Sequence, residues 1–119
     1  MGKTIELATF GDDRGYLTVA QDKIPFDIKR VYYIYGAKGK RGGHRHKSTT
    51  QALICLNGSC EIYMNNRGEE STVLLDSPSK CLILDKDDWH TMDKFSEGSI
   101  LLVFASTKYD VEDYIDEPY

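Results

Sequence analysis

The sequence predicts an all-β domain, an antiparallel sandwich or barrel, and three observations carry that expectation. Short apolar runs rich in Val, Ile, Leu and Tyr recur along the chain at roughly the 8–12-residue spacing of such folds. The runs are separated by turn chemistry: "DDRG", "YGAKGKRGG", "NGS", "NNRGEE", "DSPS" and "DKDD". No window sustains a 3.6-residue apolar period, and only the acidic tail "YDVEDYIDEPY" has room for a single helical turn.

In chain order, "YLTVA" (16–20) follows the "DDRG" turn as the first predicted strand, and "RVYYIY" (30–35) is the second. "QALICL" (51–56) and "CEIYM" (60–64) flank "NGS", the strongest hairpin sequence in the chain. "NNRG" (65–68) is a second hairpin turn and leads into "STVLL" (71–75), then "CLIL" (81–84) and "SILLVFAS" (99–106). "QALICL" and "SILLVFAS" are apolar on both faces, so one face lines the interior while the other meets a second sheet or a partner subunit. That pattern predicts a homodimer. A chain of 119 residues supports one core, so residues 1–119 form one domain.

Bulk composition excludes several classes. With 40% hydrophobic and 29% charged residues the chain has the make-up of an ordinary globular protein, and a net charge of −4 disfavours nucleic acid or an anionic membrane surface. No run approaches the roughly 20 apolar residues that cross a bilayer, and "MGKTIELATFGDDRG" lacks the apolar stretch of a secretory signal. Cys55, Cys60 and Cys81 are odd in number and sit in apolar runs, which predicts buried free thiols and a reducing cytoplasm. Cys55, Met64 and Cys81 are assigned to the core.

The chemistry concentrates in "RGGHRHK" (41–47), which holds two of the three histidines. On an extended strand His44 and His46 share a face and Arg45 takes the other. A tight connection through "KSTT" brings Gln51 alongside the pair, and His90 opens a later strand after "DKDDW". Three imidazoles with an amide oxygen can bind Zn²⁺, Fe²⁺ or Ni²⁺. However, Gln51 supplies no negative charge, and Arg41, Arg45 and Lys47 add positive potential. Those cations suit an anionic substrate instead, and imidazole, with a pKa of about 6.5, suits proton transfer near neutrality. The residues therefore favour proton abstraction beside a carbonyl without a metal.

Gly39, His44-x-His46, Gln51 and Gly58 resemble the first motif of the cupin superfamily, and "DKDDWH" (85–90) falls where its second motif lies. Gln51 replaces the usual glutamate, and Asp85 and Asp87 replace a proline and a glycine. The longer set "PFDIKRVYYIYG", "RGGHRHK", "QALICLNGSC", "LDSPS", "WHTM" and "ASTKYDVEDYI" is similar to the sugar 3,4-ketoisomerases, cupin enzymes related to WxcM-like domains. That resemblance implies a homodimeric cupin or jelly-roll barrel that uses no metal or organic cofactor. Its implied substrate is dTDP-4-keto-6-deoxy-D-glucose, converted through an enediolate to a 3-keto sugar on the way to 3-amino-3,6-dideoxyhexoses. Carried onto this sequence, it implies His46 or His44 as the base, with His46 preferred and the other orienting the sugar. Tyr33 or Tyr35 hydrogen-bonds the sugar, Arg41 meets the diphosphate or enediolate, and Gln51 buttresses a histidine or touches the sugar. Trp89 and His90 line the pocket, and Arg14 adds a phosphate or sugar contact. A metal-dependent dioxygenase-like cupin, a 3,5-epimerase and a non-catalytic sugar-binding module are the competing readings.

Overall fold

The computed structural model describes residues 1–119 as twelve strands and one 3-10 turn. The strands are β1 (Lys3–Glu6), β2 (Ala8–Asp12), β3 (Gly15–Val19), β4 (Arg30–Tyr35), β5 (Arg41–His46) and β6 (Gln51–Asn57), then β7 (Cys60–Asn66), β8 (Glu69–Leu75), β9 (Lys80–Leu84), β10 (Trp89–Asp93), β11 (Ile100–Ala105) and β12 (Tyr114–Ile115). Two five-stranded antiparallel sheets, ordered β1-β9-β6-β11-β4 and β12-β5-β10-β7-β8, face each other, while β2 and β3 pair only with one another. This is the expected all-β cupin-like architecture.

The two turn sequences behave differently. At "NNRG" the ladder runs to Asn66↔Glu69, and Arg67 and Gly68 take φ of +53° and +95° in a two-residue hairpin loop. At "NGS" no ladder forms: β6 pairs with β9 and β11, β7 with β8 and β10, so the turn is a corner that carries the chain between sheets. The expected hairpin is thus corrected to a crossover. Gly58 fits because its φ is +71° and a Cβ there would run into Ser96 Oγ.

Between the sheets lie Leu53, Ile62, Met64, Leu82, Leu84, Leu101 and Val103, all buried together with Cys55 and Cys60. The opposite face of β6 and β9 buries Ala52, Ile54, Cys81 and Ile83 under Ile5, Ala20, Ile24 and Phe26. This explains why "QALICL" is apolar on both faces: the chain's own N-terminal segment covers the second one. Each of the larger aliphatic side chains contributes about 1.5–3 kcal/mol by leaving water. The outer face of β4 is uncovered, leaving Val31, Tyr33 and Tyr35 exposed at the sheet edge.

Candidate active site

Sheet register decides which side chains meet. His44 lies opposite His90, and Tyr114 lies opposite His46, so β12, β5 and β10 set Tyr114, His46, His44 and His90 side by side on one inner wall. The imidazole centroids are 5.2 Å (His44–His46), 5.1 Å (His44–His90) and 6.1 Å (His46–His90) apart. The Tyr114 ring is 4.7 Å from His44 and 4.8 Å from His46. From the facing sheet, Gln51 Nε2 donates to the Tyr32 hydroxyl at 3.0 Å, and the Arg30 guanidinium lies 4.4 Å over the Tyr32 ring.

The glycine pair before the histidines has a steric reason. Gly42 and Gly43 take φ of +86° and +85°, and the ladder to β10 slips there, a bulge between His90 and Thr91. A Cβ on Gly42 would stand 3.0 Å from the His90 carbonyl oxygen. The slip also sets Arg41 opposite the core residue Met92, at the open end of the inner face, where its charge is felt by Tyr32.

Hydrogen bonds fix two of the imidazoles. His46 Nδ1 stands 2.8 Å from Asp113 Oδ2, and His90 Nδ1 is 3.0 Å from the Asp88 carbonyl oxygen. Both partners accept, so each ring carries its proton on Nδ1 and turns the Nε2 lone pair inward. His46 Nε2, His90 Nε2 and Gln51 Oε1 are buried with no protein partner. Asp113 also accepts from the Ser48 backbone N–H at 2.9 Å, the Ser48 hydroxyl at 2.8 Å and the Thr49 hydroxyl. Burial alone would raise its pKa, but bonds from Thr49, Ser48 and His46 outweigh that and hold it at about 2. Desolvation lowers all three imidazoles: His44 to about 4, with His46 adding to the effect, and His90 to about 3. His46 is lowered as well, by its burial, with the hydrogen bond and charge of Asp113 opposing that shift. The cluster is therefore neutral near pH 7 and able to accept a proton.

His44, His46 and His90 each offer a ring nitrogen within 4.8 Å of the others. Zn–N bonds of about 2.0–2.1 Å place two ligands no more than roughly 4.2 Å apart, so the rings would have to close in around an ion. The donor chemistry fits a transition metal, and Gln51 Oε1 is a fourth candidate ligand.

Other predicted residues lie elsewhere. Tyr33 and Tyr35 stack on each other at 6.0 Å on the outer face, because strand alternation that turns Tyr32 inward turns them out. Trp89, next to the inward His90, likewise faces out, packing 6.3 Å from Tyr63 and donating Nε1–H to the Asp116 carbonyl at 2.9 Å. Arg14 sits at the tip of the β2–β3 hairpin, paired with Asp12 at 2.6 Å and out of contact with the histidines. Sequence reasoning missed Tyr32, Arg30, Asp113 and Tyr114. The acidic tail does make a single helical turn, the 3-10 turn Val111–Asp113 capped by Asp110, but then adds β12 to the open edge of β5. It is fastened outside by Arg45, which stacks 4.5 Å over Tyr119 and donates to the Glu117 carbonyl at 3.2 Å, and by Tyr119, which donates to the Asp87 carbonyl at 2.7 Å.

The family model described as WxcM-like, C-terminal, matches residues 2–119. The TDP-4-oxo-6-deoxy-α-D-glucose-3,4-oxoisomerase of Aneurinibacillus thermoaerophilus is 42% identical over 117 residues, covering 95% of this chain and 84% of that protein. A 3,4-ketoisomerase from Helicobacter canadensis superposes with a TM-score of 0.93 at 39% identity, over 98% of this chain and 90% of that one. The sugar 3,4-ketoisomerase QdtA from Thermoanaerobacterium thermosaccharolyticum, solved with TDP, gives 0.92 at 43% identity, over 98% and 87%.

Proposed function

The chain belongs to the WxcM-like, C-terminal family, and on that premise we propose that it is a sugar 3,4-ketoisomerase converting dTDP-4-keto-6-deoxy-D-glucose to a dTDP-3-keto-6-deoxyhexose. The ketone at C4 acidifies the C3 proton. His46 Nε2 removes that proton, and the electron pair moves into a C3–C4 double bond with negative charge on O4. Return of a proton to C4, with the O3 proton passed to O4, leaves the ketone at C3 and a hydroxyl at C4. The observation that carries this reading is one buried, unpartnered lone pair on His46, on a ring whose other nitrogen is tied to an ionised Asp113. Such a ring is oriented and kept in the base tautomer.

His44, neutral and in contact range of both His46 and His90, orients the sugar. Gln51 Oε1 and His90 Nε2 accept hydrogen bonds from sugar hydroxyls, which would satisfy the two remaining orphaned atoms. Arg41, exposed at the open end, meets the diphosphate. No step requires a metal. The enzyme works as a homodimer, supported by apolar surface left in water on β4 (Tyr33 62% and Tyr35 71% exposed) and on the β2–β3 hairpin (Phe10 64%, Tyr16 87%). Three unpaired buried cysteines fit a reducing cytoplasm.

Metal-stripped protein incubated in D₂O with dTDP-4-keto-6-deoxyglucose is the test. Formation of the 3-keto sugar, with C5 hydrogen retained, is expected. Activity only after a divalent metal is added back, or exchange at C5, would replace this reading by the metal-dependent or epimerase alternative.

A further inference from the structure

Base chemistry at C3 accounts for the histidines but leaves two oxygens whose protons must also change places. Opposite and beside the imidazoles stands a pair that nothing above employs. Arg30 is half-buried and makes no ion pair; its guanidinium is clamped 4.4 Å from the Tyr32 ring and 5.0 Å from the Tyr109 ring. One of its N–H groups donates to the Tyr114 hydroxyl at 3.2 Å. The Tyr114 oxygen thus accepts from a cation, and its own O–H donates to no protein group. Register with His46 holds the ring on the inner wall, in contact range of both His44 and His46. A half-buried guanidinium with spare donors and no counter-ion calls for an anion.

We propose that Arg30 and Tyr114 form the anion-stabilising and proton-passing arm of the site, acting on the oxygens of the enediolate while His46 acts on its carbons. The proposal rests on the isomerase reading. As His46 Nε2 takes the C3 proton and charge develops on O4, Tyr114 gives its O–H proton to O4. The resulting phenolate is held by the Arg30 guanidinium. The phenolate then takes the proton from O3, the C4 carbon receives the proton held on His46, and the C3–O3 bond becomes the carbonyl. Two protons have moved, no electrons have been gained or lost, and both catalytic groups return to their starting states. The aromatic clamp matters because it fixes the fork of the guanidinium without neutralising it, as a carboxylate would.

The experiment measures two rates in D₂O for wild type, Tyr114→Phe and Arg30→Lys: deuterium entry at C3 of the 4-keto substrate, and formation of the 3-keto product. Tyr114→Phe retains the ring packing and loses only the hydroxyl. It should lower product formation about 10²- to 10³-fold, within the usual range for losing an acid–base group, and raise the ratio of C3 exchange to product at least about tenfold. Arg30→Lys should lower both rates. An unchanged ratio in Tyr114→Phe, whatever the total rate, overturns the assignment of Tyr114. Wild-type rates in Arg30→Lys overturn that of Arg30. A wild-type protein that makes no 3-keto sugar from this substrate overturns the isomerase reading instead.

Discussion

Replacing Asp113 by Asn is the substitution with the most to say about the site. One carboxylate oxygen accepts from His46 Nδ1–H and the Thr49 hydroxyl, the other from the Ser48 N–H and hydroxyl. An asparagine has a single acceptor oxygen. The Ser48 amide retains it, so the NH₂ group turns to His46 and makes Nδ1 the acceptor. The proton then sits on Nε2, and the inward lone pair is lost. Forcing a catalytic imidazole into the wrong tautomer costs up to about 10⁴ in kcat in serine proteases, so a fall of about 10²- to 10⁴-fold is expected here with KM little changed. Stability falls as well. The native pKa of about 2 lies roughly two units under the unfolded value, which corresponds to about 2–3 kcal/mol of stability. Because the folded pKa is the depressed one, this contribution is present above about pH 4 and lost as pH falls through 2. The assay is steady-state kinetics with a denaturant melt on the same preparation. A folded Asp113→Asn protein with kcat within threefold of wild type refutes the tautomer argument.

Gly42→Ala should cost about 1–2 kcal/mol and most of the activity, because φ of +86° is unfavourable for alanine and the Cβ meets the His90 carbonyl at 3.0 Å; a thermal melt and a rate check both. Acid should destabilise the fold between about pH 6.5 and 4: the buried imidazoles of His44 and His90 are depressed to about 4 and about 3, so the unfolded chain binds more protons in that window, and denaturant midpoints should rise with pH across it. Tyr33→Phe should leave kcat within about twofold of wild type, since Tyr33 lies on the outer face, and Tyr33→Asp should shift the light-scattering mass from two chains toward one.

Strand periodicity made most of the fold legible, because alternation of side chains follows directly from the backbone and the turns between runs carry their own chemistry. The histidine wall was legible for the same reason: His44 and His46 two residues apart must share a face. Alternation puts Tyr33 and Tyr35 on one face of β4 and Tyr32 on the other, but the choice of which face looks inward depends on the facing sheet, and no local pattern encodes that. "NGS" misled because a turn sequence specifies a reversal of the chain and not its pairing partner; β6 and β7 each have better partners in separate sheets. Asp113 and Tyr114 were hidden in a tail whose acidic composition reads as solvated. Its placement depends on an open strand edge at β5, a feature of tertiary structure that arises some 70 residues earlier in the chain.

Deuterium entry at C3 of dTDP-4-keto-6-deoxyglucose, followed by proton NMR with metal-stripped protein, reports most directly on whether His46 is the base. The account predicts that His46→Asn lowers C3 exchange by at least about 10²-fold, while His44→Asn lowers it less. Exchange at the wild-type rate in a folded His46→Asn protein would contradict it.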